Sequence, residues 1–233
     1  MQCWKYCSKS VTISHHKDPL GYKWPDTIKE VPLLQKVEKN TCTFKDGSTV
    51  DVDTIVLCTG YLHYFPFMAK ELKLVTTNRF VPFSLYKGVV FVDNPKLFYL
   101  GMQDQFYTFT MFDAQAWYVR DIILDRIRVP DRDTRVADVE VRISREDSES
   151  KRSVRFCNQA DYIKELMADT HYPQFDVDAT KDLFFQWEKH KVDNIMGFRD
   201  HSYKSAMTGT VSPLPPVLWK DNFDDSFASF VGK

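Results

Sequence analysis

An α/β or α+β fold is predicted by three features of the sequence. Strand-like runs separated by turn chemistry fill roughly the first hundred residues. One of them, Thr54-Ile55-Val56-Leu57-Cys58, is apolar on both alternating sets of positions, as in a parallel-sheet strand covered on both faces. Further on, apolar residues recur at three- and four-residue spacing, which is the signature of helices with one buried stripe.

The elements follow in order. Val11-Thr12-Ile13-Ser14 is a short strand, and His15-His16-Lys17-Asp18-Pro19-Leu20-Gly21 after it is turn chemistry with polar tips. Tyr22-Lys23-Trp24-Pro25 reads as an aromatic loop. Residues 35–44 and 48–52 flank Lys45-Asp46-Gly47, and Asp-Gly between strand-like runs predicts a hairpin. The strand 54–58 ends at Thr59-Gly60-Tyr61, where glycine permits close backbone approach. Residues 89–92 and 97–100 read as strands separated by the turn Asp93-Asn94-Pro95. The polar loop Gln103-Asp104-Gln105 leads into a helix expected over 111–128, with Phe112, Ala116, Val119, Ile123 and Ile127 as its buried stripe and Pro130 as its stop. Residues 131–155 are dense in charge and read as an exposed, mobile excursion. Helices are expected over 161–168 and 178–195, the latter with Asp178 as N-cap and Leu183, Phe184, Trp187 and Ile195 on one side. Ser212-Pro213-Leu214-Pro215-Pro216 reads as an extended arm.

Composition narrows the possible functions. The 233 residues carry 31 Lys+Arg against 32 Asp+Glu, a net charge of −1, so no basic excess points to nucleic acid. At 43% hydrophobic and 15% aromatic, the chain is expected to form a globular core. No apolar run approaches the ~18 residues that span a membrane. Only 8 glycines are present, and none form G-x-G-x-x-G or a P-loop, so the sequence has no glycine-rich phosphate cradle. The five cysteines, Cys3, Cys7, Cys42, Cys58 and Cys157, are odd in number and scattered, which predicts a reduced, cytoplasmic chain. Cys58 reads as a small buried apolar residue. The Cys3/Cys7 pair with His15 and His16 lacks the second half of a zinc finger, and no Gly-x-Ser-x-Gly elbow marks a hydrolase.

Three segments carry a resemblance. They are Asp53-Thr54-Ile55-Val56-Leu57-Cys58-Thr59-Gly60-Tyr61 with Phe65-Pro66-Phe67; Tyr99-Leu100-Gly101-Met102-Gln103-Asp104-Gln105-Phe106-Tyr107 running into Met111-Phe112-Asp113-Ala114-Gln115-Ala116-Trp117; and Asn194-Ile195-Met196-Gly197-Phe198-Arg199-Asp200-His201-Ser202-Tyr203. Together they resemble the C-terminal half of flavin-containing monooxygenases, nearest to the trimethylamine monooxygenase group, which Leu20-Gly21-Tyr22-Lys23-Trp24-Pro25 also fits. The resemblance implies an α/β, incomplete two-dinucleotide-binding-domain flavoprotein fold: the end of an NADPH domain plus the C-terminal part of an FAD domain. The expected organisation is 1–52 as the NADPH-domain remnant, 53–130 as the FAD-domain part, 131–157 as the charged excursion, and 158–233 as C-terminal helices and arm. Met1-Gln2-Cys3-Trp4 looks like a chain entered partway through a domain, with both cofactor-gripping loops expected upstream.

The resemblance also implies an activity. The family oxygenates soft nitrogen or sulfur, with NADPH reducing FAD and O₂ forming a C4a-hydroperoxyflavin that the substrate lone pair attacks. Gln105 and Thr108 match positions that touch the flavin, where amide and hydroxyl groups bond its edge without adding charge. Asp104 beside them tunes the flavin or organises water over it; alternatively it caps the turn, with Gln105 solvated. Phe106 matches a substrate-pocket position and equally fits core packing. His16 and Lys17 match the site of the NADPH 2′-phosphate, or are simply two polar residues on a turn tip. Arg199 matches an NADP contact, or pairs with Asp200 or a helix end. Asp113, Gln115 and Trp117 belong to the same family block, with Asp113 also readable as first-turn acidic charge.

The expected partners are a small amine or sulfide substrate, O₂, and the missing N-terminal half or a second subunit, with a homo-oligomer in the full-length form and neither nucleic acid nor membrane. Lacking its glycine loops, the chain is expected to be inactive without that half and, expressed alone, poorly soluble or oligomeric because of unpaired strand edges. The alternative expectation is a non-catalytic fragment or interaction module that binds no flavin.

Overall fold

The computed structural model describes residues 2–60, 63–74, 79–104, 106–148 and 152–212. The chain divides into two compact units, Met1–Thr59 with Leu183–Lys233, and Gly60–Asp182. The fold is α/β: among the described residues, short strands fill the first part of the chain and the long helices follow them.

In the first unit, helix α1 (Gln2–Tyr6) precedes strand β1 (Val11–Ser14). β1 pairs in parallel with β2 (Ile28–Val31), Val11 opposite Ile28. A parallel pair needs a crossover, and here it is the irregular segment 15–27, fixed by the Glu30 carboxylate. One Glu30 oxygen accepts the Leu20 N–H at 2.7 Å and the other accepts the Trp24 indole N–H. Strands β3 (Leu34–Glu38), β4 (Thr41–Phe44) and β5 (Thr49–Asp51) form an antiparallel meander. The β4–β5 hairpin turns at Asp46-Gly47 as expected: Gly47 has φ +82°, and the Asp46 carboxylate accepts the Ser48 N–H at 3.0 Å. Alternation on β4 buries Cys42 and Phe44.

Residues 54–58, expected as a doubly covered strand, have no strand assignment. Ile55, Val56 and Leu57 are exposed, Leu57 by 78%, and Cys58 is exposed rather than buried. A segment apolar on both faces is stabilised as a strand only by neighbours on each edge and a layer on each side. Among the described residues no strand pairs with it.

In the second unit, β6 (Leu85–Tyr86) and β7 (Val90–Phe91) form a short hairpin. Phe98 bridges to Val90, and the Tyr99 N–H donates to the Val89 carbonyl at 2.8 Å. The expected strands at 89–92 and 97–100 are thus present only as this small ladder. Leu74, Leu85, Phe91 and Tyr99 form a core cluster, with Phe65, Met68, Leu97 and Met102 packed on it.

Helix α2 (Phe109–Ile123) begins and ends earlier than expected. Its buried face is Met111, Ala114, Gln115, Tyr118, Val119 and Asp121; of the expected stripe only Val119 is buried, Phe112 and Ile127 are half-buried, and Ala116 and Ile123 are exposed. The difference comes from two buried polar residues that an apolar-period reading skips. Asp121 is held by Arg120 and Arg126, which outweigh the effect of burial and keep its carboxyl below the usual range.

The charged stretch expected to be an exposed excursion is instead helical over its described residues. Helix α3 (Arg132–Ser148) is N-capped by Asp131, whose carboxylate accepts the Thr134 N–H at 2.8 Å. Its charges are used internally. Buried Arg135 donates twice to the Val92 carbonyl, at 3.0 and 2.8 Å, and once to that of Pro130. Buried Glu146 accepts the Phe80 and Val81 N–H groups at 3.2 and 3.0 Å.

Helix α4 (Arg152–Asp169) starts well before the expected residue 161 and buries Phe156, Gln159, Ala160, Ile163, Leu166 and Met167 at helical spacing against α2. Helix α5 (Val177–Asp193) is capped by Asp176, not Asp178: the Asp176 carboxylate accepts the Ala179 N–H at 2.8 Å. Asp178 instead pairs with Lys164 and Lys181, whose hydrogen bonds lower its carboxyl to a pKa of about 2. The expected arm 213–216 lies outside the described residues. Among the described residues, no helix is long and apolar enough to cross a membrane.

Candidate functional site

The turn between Gly101 and α2 gathers Asp104, Phe106 and Thr108 into one short segment of the second unit; Gln105 lies outside the described residues. Its geometry is set from below by three polar side chains, of which Gln115 and Tyr162 are buried and Gln103 is half-buried. Gln115, 0% exposed on α2, accepts the Gly101 N–H at 3.0 Å and donates to the Gln103 side-chain oxygen and to the Tyr162 hydroxyl, the latter at 3.0 Å. Gln103 donates to the Phe80 carbonyl at 2.9 Å, and Tyr162 donates to the Lys87 carbonyl at 2.8 Å. Burial raises the Tyr162 pKa, which keeps it a neutral donor. Gly101 has φ +70°, which favours glycine, and a Cβ there would stand a tight 3.2 Å from the Phe112 ring.

Above this floor the backbone is tied at three points. The Asp104 N–H donates to the Arg79 carbonyl at 2.7 Å. Gln159 of α4 donates to the Asp104 carbonyl at 2.7 Å and accepts the Phe106 N–H at 2.9 Å. The Phe106 ring is half-buried and packs on Phe80 and Phe156 at centroid distances of 5.2 and 5.3 Å. Asp104 and Thr108 are exposed.

Thr108 has φ +46° and ψ −120°, a conformation that costs a β-branched residue on the order of 1–3 kcal/mol. Its hydroxyl makes no capping hydrogen bond to α2, and the first turn of α2 holds no acidic residue. The positive end of the helix dipole therefore lies beside the turn with no carboxylate in that first turn to offset it. A cavity of about 70 Å³ lies behind the turn, lined in part by Phe80, Gln103, Gln159 and Tyr162.

The rest of the recognised block serves the packing around this turn. Tyr172 donates to the Asp113 carboxylate at 2.9 Å; burial, and then Asp113, push its pKa up to about 12. Trp117 packs edge-on against Tyr172 at 5.5 Å, and Arg120 lies 3.9 Å over its ring. Gln115, which the sequence reading left without a role, is the central member of the floor. Gln159 was not anticipated at all, and a polar residue at a helix-stripe position between Phe156 and Ile163 is the signal that could have revealed it.

The remaining candidates lie on the first unit. His16 and Lys17 are exposed on the turn after β1. Arg199 is exposed on a single 3₁₀ turn (Phe198–Asp200), its guanidinium 5.1 Å from the Phe198 ring. Its neighbour Asp200 is engaged by Lys5, at 2.6 and 2.8 Å.

Residues 26–177 match the flavin-binding monooxygenase-like family, and the chain belongs to that family. Among its relatives, it is 54% identical over 230 residues to trimethylamine monooxygenase of Roseovarius sp. (strain 217), covering 99% of this chain and 52% of the relative. It is 46% identical over 233 residues to the protein of that name from Pelagibacter ubique (strain HTCC1002), covering 100% of this chain and 53% of the relative. The crystal structure of Tmm from Pelagibacter sp. strain HTCC7211 superposes with a TM-score of 0.86 at 46% identity, over 99% of this chain and 52% of that one. The S-allyl-L-cysteine S-oxygenase of Allium sativum shares the fold, with a TM-score of 0.60 at 22% identity over 83% of this chain and 46% of that one. The chain spans about half the length of the curated relatives it matches.

Proposed function

We propose that the chain is the closing half of a cytoplasmic, FAD- and NADPH-dependent N- or S-monooxygenase that oxygenates small amines such as trimethylamine. The observation that carries this reading is the Gly101–Thr108 turn: braced from two helices, strained at Thr108, and presenting Asp104 and Thr108 outward at the start of α2. The names and identities of the relatives support the substrate class.

On this reading, FAD supplies the oxygen activation, and the chain's own groups hold and screen it. Thr108 and Gln105 bond the edge of the isoalloxazine, Asp104 orders water or tunes charge beside it, and Phe106 contributes an apolar wall. His16, Lys17 and Arg199 contact NADPH. Residues 1–52 belong to its domain, and 53–130 with 158–233 complete the FAD side. No glycine-rich loop in the sequence grips either pyrophosphate. We therefore assign that grip to an upstream half, covalent or as a partner chain, within a homo-oligomer. The exposed apolar run Ile55–Leu57 fits a surface that such a half covers.

The lack of a phosphate cradle also favours a second reading, a non-catalytic module that binds no flavin. The two readings are separated by mixing the purified chain with a separately made upstream half, FAD, NADPH and trimethylamine. The first predicts NADPH consumption with formation of the amine oxide. No consumption, with no flavin absorbance retained near 450 nm, leaves the second.

A further inference from the structure

The geometry points to Gln159 as a positioning residue for the flavin-facing turn, an inference that rests on the flavin reading above. Gln159 is 4% exposed on α4, inside a stripe otherwise made of Phe156, Ala160 and Ile163. Its carboxamide donates to the Asp104 carbonyl at 2.7 Å and accepts the Phe106 N–H at 2.9 Å. It thus ties down a peptide group on each side of position 105. The two bonds fix the amide's orientation, since NH₂ must face the carbonyl and oxygen the N–H. Among the side chains, only a carboxamide of this length serves both at once: Glu loses the donor, Met loses both groups, and Asn is one methylene short. A buried polar residue at a stripe position costs stability unless fully bonded, and here both bonds go to the turn backbone. Gln159 therefore holds the segment carrying Asp104 and Thr108 in its strained, outward-facing form without touching a ligand itself.

The test uses the full protein encoded by the gene, with any sequence that precedes Met1. Gln159→Met removes both bonds at similar volume, and Gln159→Glu removes only the donor, guarding against a variant that fails to fold. Amine oxide formed per NADPH consumed is measured together with the visible flavin spectrum. Both folded variants are expected to retain FAD, to show an altered band near 450 nm, and to yield roughly tenfold less product per NADPH, as expected when a reacting group is held slightly out of place. Asp161→Asn, on the exposed side of the same helix, should leave both readouts unchanged. A folded Gln159 variant with wild-type spectrum and coupling overturns the assignment while leaving the flavin reading intact. A wild-type protein that takes up no flavin overturns both.

Discussion

Replacing Gln115 with leucine should destabilise the protein by about 1–4 kcal/mol. The magnitude follows from what the substitution leaves behind. The part-buried Gly101 N–H and Gln103 side-chain oxygen both lose their partner, at about 1–3 kcal/mol each if water does not reach them. Tyr162 is spared because its hydroxyl still donates to the Lys87 carbonyl. Leucine regains on the order of 1–2 kcal/mol through its apolar surface, which offsets part of the loss. The net effect is a large share of a typical domain's 5–15 kcal/mol. Urea unfolding followed by far-ultraviolet circular dichroism measures it, and a Gln103/Gln115 double-mutant cycle should give a coupling above about 0.5 kcal/mol. A Gln115→Leu protein within about 0.5 kcal/mol of wild type would refute the reasoning, because the buried network would then contribute nothing beyond volume.

Other outcomes follow from the same structure. Arg135→Met strips partners from the Val92 and Pro130 carbonyls and should cost about 2–3 kcal/mol in urea unfolding, whereas Arg132→Met, on the exposed side, should stay within about 0.5 kcal/mol. Equal effects would show that α3 is not docked through Arg135. Glu165 is held below its ordinary carboxylate range: burial raises it, but hydrogen bonds and charge from Arg142 and Lys87 outweigh that. A lowered folded-state value means that this stabilisation is present above the unfolded value of 4.5 and is lost as pH falls through the folded one. Glu165→Gln should therefore lower thermal stability at pH 7 by about 1 kcal/mol and flatten the acid-side decline below that point. Parallel pH profiles for wild type and variant would contradict the ion-pair account.

The hairpin at Asp46-Gly47, strand β1 and the existence of α2 and α5 were legible in the sequence, because each rests on local chemistry: a left-handed turn residue, β-branched alternation, a 3.6-residue period. Helix α3 was not, although its start signal, Pro130-Asp131 followed by Thr134, is local and present. Charge density masked it, since Arg135 and Glu146 look solvated until the carbonyls and amides they serve are brought near by the fold. The face of α2 was misread for a related reason: Gln115 and Asp121 are buried because they are bonded, and hydropathy does not count bonds. The segment 54–58 fails in the opposite sense. Its pattern asks for neighbours that the described residues do not supply, so intrinsic preference alone leaves it unpaired and exposed. At the candidate site, the residues were marked by resemblance, and what physics adds is the brace beneath them. Gln159 and Tyr162 stand more than 50 positions from Gly101 in sequence, beyond any local motif.

The most direct measurement is amide hydrogen exchange over residues 103–109 of the gene-encoded full protein, with and without FAD. If this turn meets the isoalloxazine, the Phe106 to Phe109 amides should slow on flavin binding while those of the β3–β5 meander stay unchanged. Retained flavin with identical exchange across the turn would mean that the cofactor lies elsewhere.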